Sequence, residues 1–115
     1  MMNYLDNNPA VMEWSSEETV IPYVSPVDGR YHRYFVDFWV KAKGKDGTTK
    51  VMLFEVKPKH QTKEPTKKKK VTKQYITEVM TWGVNQAKWA AAEEYCADRG
   101  WTFRLITEEE LFNDR

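Results

Sequence analysis

The chain has 115 residues, a mass of 13.6 kDa and a formal net charge of +1, with 41% apolar and 14% aromatic side chains. That is enough chain for one hydrophobic core, too rich in core formers for a disordered segment and too near neutrality for a whole-molecule field. One cysteine, Cys96, and two histidines, His32 and His60, exclude an intramolecular disulfide framework and argue against a structural zinc site. Met1-Met2-Asn3-Tyr4-Leu5-Asp6 lacks the cationic start and apolar run of a signal peptide, and no stretch approaches the roughly 18 apolar residues of a membrane span. The expectation is a soluble protein of a reducing compartment.

Asn7-Asn8-Pro9 is turn chemistry, after which Val11, Met12 and Trp14 suit either a helical turn or an edge packed on the body. Thr19 to Val24 is β-branched and aromatic, a strand that Pro22 confines to an edge. Ser25-Pro26-Val27-Asp28-Gly29 then predicts a hairpin turn. One strand is expected over Tyr31 to Lys43, with Tyr34, Val36, Phe38 and Val40 on one face and Phe35, Asp37, Trp39 and Lys41 on the other. Asp46-Gly47 marks a second hairpin, and Lys50 to Lys57 the next strand, where Val51, Leu53, Glu55 and Lys57 share a face. Pro58 to Thr66 reads as a loop, followed by the run Lys67 to Lys70.

Helical periodicity is clear from about Thr77, with the start falling between Lys67 and Thr77. Val79, Trp82, Gln86, Trp89, Glu93 and Cys96 follow its three- and four-residue steps, and Arg99-Gly100 stops it. Trp101 to Ile106 predicts another strand, and Thr107-Glu108-Glu109-Glu110 a capped short helix. The order predicts one α/β domain over residues 1–115, a mixed sheet of about four strands flanked by one long helix.

Asp37 and Glu55 stand out chemically. Each places a carboxylate in an apolar strand, where an unpaired charge costs several kcal/mol and calls for a cation or a donor. Adjacent strands set residues about 5 Å apart, near enough for two carboxylates to share one ion, and magnesium accepts a few carboxylates plus water. Lys57 shares a face with Glu55 and reaches the same place, where an ammonium can orient water or neutralise a phosphate. The competing reading is a structural salt bridge, since Glu-x-Lys on a strand is common by chance.

Between Lys57 and Lys73 there are eight lysines against one acid, Glu64. Lys59, Lys63, Lys67, Lys68, Lys69, Lys70 and Lys73 could neutralise DNA phosphates without reading sequence; a solvated loop is the equal alternative. Trp82 and Trp89, seven residues apart, read as core packing against the sheet rather than a stacking platform, with Gln86 and Lys88 as lesser candidates for DNA contact. His32, His60 and Cys96 have no partner that makes a base or nucleophile.

Phe35-Val36-Asp37-Phe38 followed by Leu53-Phe54-Glu55-Val56-Lys57 resembles the PD-(D/E)xK nuclease signature, with Val36 where that superfamily often has proline. The ordered blocks Ser16 to Thr19, Ile21-Pro22-Tyr23, Ser25-Pro26, Gly29, His32 to Phe35, Glu55 to Lys59, and Thr81 to Asn85 with Ala87-Lys88-Trp89 resemble the head completion nucleases of T-even-like bacteriophages. The likeness runs over roughly residues 3–111. It implies a small restriction-endonuclease-like fold and a metal-dependent DNA endonuclease, cleaving phosphodiesters by metal-activated water during head completion or DNA packaging. It also implies Asp37 and Glu55 as metal ligands, the Val56 carbonyl as a further ligand, Lys57 as the catalytic lysine, and Mg²⁺ (or Mn²⁺) as cofactor.

Implied partners are duplex DNA or DNA ends, phage head or portal proteins and a second copy of the chain, in the infected host's cytoplasm or the virion, with no membrane. Members of this family typically begin with a helix bearing another acidic active-site residue, and this chain is expected to start after it. The alternative is therefore a catalytically inactive virion-assembly or DNA-binding protein that retains the nuclease fold.

Overall fold

The computed structural model describes residues 8–67 and 69–107. Along them run β1 (Val11–Ser16), β2 (Val20–Val24), β3 (Tyr31–Phe35), β4 (Phe38–Lys43), β5 (Thr49–Lys57), a 3-10 turn (Lys59–Thr62), the helix α1 (Lys73–Arg99) and β6 (Thr102–Thr107). The larger sheet has the order β1-β4-β5-β6, antiparallel except for the parallel pair β5 and β6, and β2 pairs with β3 in a small second sheet. The architecture is the expected α/β one. Val11 to Trp14 resolve as an edge strand on β4 rather than a helical turn. Pro22 sits in β2, whose one partner among the described residues is β3.

The predicted continuous strand Tyr31 to Lys43 is two strands in two sheets. Between them, Val36 donates its N–H to the Thr19 carbonyl at 3.0 Å, and the Asp37 carbonyl accepts from the Glu17 N–H at 3.1 Å. The link between β1 and β2 thus takes the backbone groups that a continuous ladder would have used. The predicted alternation fails at the same point. Tyr34 and Val36 pack with Ile21, Leu53, Ala92 and Cys96 under the helix, joined by Trp39, whereas Phe38 and Val40 pack with Trp14, Phe54 and Val56 on the opposite face.

Thr72 caps α1, its hydroxyl accepting from the Tyr75 N–H at 3.2 Å. Gly100, at φ 71°, ends the helix, with Gly100 N–H donating to the Ala97 carbonyl and Trp101 N–H to the Cys96 carbonyl. The buried stripe is Asn85, Trp89, Ala92 and Cys96, while the expected face members Val79, Gln86 and Glu93 are exposed. Length explains the shift: 27 helical residues span about 40 Å and the nine of β5 about 30 Å, so the first turns of α1 overhang the sheet. β6 begins one residue later than expected, at Thr102. The rest of the predicted terminal helix, from Glu108 on, lies outside the described residues. No helix among the described residues is long and apolar enough to cross a membrane.

Leu53, 0% exposed, joins the central β5 to Ala92 and Cys96 of the helix. Leu53→Ala is expected to cost about 2–5 kcal/mol, measured as a lower urea midpoint at unchanged m-value.

Candidate active site

The break before β4 creates the site. β4 starts at Phe38, opposite Phe54, so no strand residue stands opposite Val56 on that side. The Asp37 carboxylate fills the gap, its Oδ2 accepting from the Val56 N–H at 2.9 Å. Glu17 secures the other side of Asp37 through its own N–H and adopts φ 57°, a left-handed conformation uncommon for a residue with a side chain. Asp37 is thereby held by main-chain bonds from two directions.

Glu55, one residue before Val56, is 5% exposed. The Tyr34 hydroxyl donates to its Oε2 at 2.5 Å, and Lys57 Nζ lies 3.4 Å from its Oε1. Burial pushes the Glu55 carboxyl above the ordinary carboxylate range; the Tyr34 bond opposes that, the Asp37 charge adds to it and Lys57 opposes it. The Tyr34 phenol is in turn driven well above its usual value, first by burial and then by the Glu55 charge. Lys88, on α1, sets a second ammonium 5.6 Å from the Tyr34 ring and 5.8 Å from the Tyr23 ring.

Asp37, Glu55 and Lys57 therefore gather at the end of β5. In a strand the N–H and C=O of one residue point the same way, so the Val56 carbonyl is directed to the side from which Asp37 caps its amide. Two carboxylates and a backbone carbonyl form a hard-oxygen donor set suited to a small divalent cation that keeps several waters. Among the described residues no group of three or more His, Cys, Asp or Glu side chains is placed to hold a metal ion. An open, partly hydrated cation is what these donors fit.

Lys59, Lys63, Lys67, Lys69, Lys70 and Lys73 are all exposed, on the 3-10 turn, the loop and the first residue of α1; Lys68 lies outside the described residues. His32 pairs with the exposed Asp28 at 2.8 Å, in the hairpin joining β2 and β3. Cys96 is buried in the core, which raises its thiol pKa and leaves it a packing group. Tyr34 and Asn85 are not singled out by the sequence pattern, and Lys88 is noted there only as a lesser candidate for DNA contact rather than as a neighbour of Tyr34. Tyr34 looked like one more apolar face position; Asn85 had a usable signal, a lone amide in the stripe Trp89-Ala92-Cys96.

The raised Glu55 pKa has a definite consequence for the metal-free protein. Between the ordinary glutamate value and the raised one, the folded state binds more protons than the unfolded, so stability falls as pH rises through that window. Unfolding midpoints in chelator are expected to show Glu55→Gln gaining on the parent as pH rises above about 4.5, with the advantage vanishing at lower pH.

The TnsA-like endonuclease N-terminal family matches residues 8–108, a span that holds Asp37, Glu55, Val56 and Lys57. The head completion nuclease of Enterobacteria phage T4 is 39% identical over 112 residues, covering 94% of this chain and 72% of that protein. No solved structure matches. With a mixed sheet, an acidic pair and a lysine at one strand end inside that matched span, the chain belongs to the TnsA-like endonuclease N-terminal family.

Proposed function

We propose that residues 1–115 form a single nuclease-like domain acting as a Mg²⁺-dependent DNA endonuclease, with Mn²⁺ able to substitute, in phage head completion. The observation that carries this is the capping of Val56 by Asp37 beside buried Glu55 and its ion-pair partner Lys57. Family membership and the likeness to a phage head completion nuclease support it.

Asp37, Glu55 and the Val56 carbonyl would hold the cation. When bound, it supplies Lewis-acid polarisation of a phosphate oxygen and lowers the pKa of a coordinated water. Glu55 is ready for such a partner, because burial penalises its free charge and one adjacent ammonium offsets that only in part. The Lys57 side chain is 24% exposed, and its ammonium beside Glu55 can reach both a phosphate oxygen and an attacking water. Hydrolysis forms a bond from water oxygen to phosphorus and breaks the bond to the leaving sugar oxygen, which takes up a proton. The products are a terminal phosphate and a free hydroxyl.

Lys59, Lys63, Lys67, Lys69, Lys70 and Lys73, with Lys68, follow the site directly and offer phosphate contacts that position duplex DNA or DNA ends without reading bases. Head or portal proteins and a second copy of the chain are further partners that the phage setting suggests, in infected-cell cytoplasm or the virion. The opposing reading is a DNA-binding or assembly protein that keeps the fold without the chemistry.

Supercoiled plasmid with Mg²⁺ is expected to be nicked or linearised, and chelator should stop it. Asp37→Ala, Glu55→Ala and Lys57→Ala should each slow the reaction by on the order of 10³ or more. Equal trace activity in the parent and all three variants would leave the binding reading standing. In fluorescence anisotropy without Mg²⁺, replacing Lys63, Lys67, Lys69 and Lys70 by Gln should flatten the slope of log Kd against log salt by up to about 3–4.

A further inference from the structure

A cleft of about 780 Å³ opens between the loop after β5 and the N-terminal half of α1, with His60, Lys63, Glu64, Glu78, Trp82 and Asn85 in its walls. We propose that this cleft binds an unpaired nucleobase of the DNA substrate, so that the enzyme favours DNA with single-stranded nucleotides beside the cut site. The inference rests on the nuclease reading above and names its substrate class.

Asn85 supplies the first observation. It is 5% exposed and lines the cleft, yet its side-chain amide has no hydrogen-bond partner among the described residues. The amide atoms are not sealed in the core, where Trp89 Nε1 alone is buried without a partner among the described residues. They face the cleft and offer a paired donor and acceptor to a ligand with a complementary edge. A nucleobase has such an edge.

Trp82 is the second. It is half-buried and packs edge to face against buried Trp89, with centroids 5.9 Å apart at 82°. That contact fixes the indole orientation and makes it a rigid apolar wall in the cleft, suitable for base stacking. The sequence pattern assigned both tryptophans to the core; Trp89 lies there and Trp82 borders open space.

The walls carry both signs, Lys63 beside Glu64 and Glu78, and exposed Lys67, Lys69 and Lys70 follow in the same loop. A nucleotide can place its neutral base inside the cleft and its phosphate toward those lysines. The volume lies within the ordinary range of small-ligand sites, about 300–1,000 Å³.

Position ties the cleft to the cut site. Leu53 packs with Ala92 and Cys96, and α1 runs back along β5 because it joins two parallel strands. From that level Lys57 lies four residues onward, about 13 Å, and Asn85 seven residues back along the helix from Ala92, about 10 Å. Asn85 thus stands level with the stretch between Glu55 and Lys57. A base displaced from the strand being cut can reach it, whereas in intact duplex it must first be unstacked.

The test is binding of fluorescent DNA to the full chain by anisotropy in chelator, comparing a blunt duplex with the same duplex carrying a four-nucleotide single-stranded tail. The parent is expected to prefer the tailed duplex by about tenfold. Trp82→Ala and Asn85→Leu should each bring the ratio within about twofold while leaving blunt-duplex affinity unchanged, and Trp82→Phe should keep part of the preference. Asn85→Leu should melt no lower than the parent, since no bond is lost. Equal affinity for the two duplexes, or a preference that survives both variants, overturns the proposal. Because binding is read without metal, a tail preference without cleavage would sink only the nuclease reading, and cleavage without preference only this one.

Discussion

The site depends on one hydrogen bond across an interruption in the sheet, from the Val56 N–H to the Asp37 carboxylate. A main-chain amide within a sheet cannot go unpaired without cost, and the late start of β4 removes its strand partner. A carboxylate in that place satisfies the amide and fixes its own position beside Glu55 and Lys57. The interruption is in turn stabilised by the link between β1 and β2, through Thr19 and Glu17. The switch of core faces and the placing of Asp37 beside Glu55 thus follow from one local departure from regular pairing.

Glu55 shows how the surrounding charges are balanced. Its burial alone would favour the neutral acid, and the Asp37 charge pushes the same way. Tyr34 and Lys57 offset this with a short hydrogen bond and an ammonium, and Lys88 lies over the Tyr34 ring behind them. The offset is incomplete, since the Glu55 pKa stays raised. A buried carboxylate whose charge is only partly offset gains more from a nearby positive charge than the same oxygens would in water.

Much of this was legible in the sequence because it rests on patterns with local causes. The turns at Asp28-Gly29 and Asp46-Gly47, the Gly100 helix stop and the alternation Leu53-Glu55-Lys57 are properties of neighbouring residues. The break at Val36-Asp37 was not legible, because alternation continues through it and the partners that disrupt the strand, Thr19 and Glu17, are distant in the chain. The start of α1 at Lys73 hinged on the Thr72 cap amid lysine-rich sequence compatible with helix throughout. Its buried face was misplaced because Val79 and Trp82 look like core members, although the helix there runs past the sheet. Tyr34 could not be distinguished from an ordinary buried aromatic until its hydroxyl met Glu55.

The overhang of α1 explains why one helix carries two kinds of surface. Its C-terminal half is committed to packing: Ala92 and Cys96 sit against Leu53, and small side chains there let helix and sheet approach closely. Its N-terminal half has less sheet beneath it, and Ile76, Val79 and Met80 are exposed. Segments with few buried contacts open at low free-energy cost. The lysine-rich loop leads straight into this half, so the most cationic stretch and the least packed turns of the helix lie side by side. Packing is concentrated where the helix meets Leu53 in the middle of β5, and the carboxylates of Asp37 and Glu55 lie toward the end of that strand.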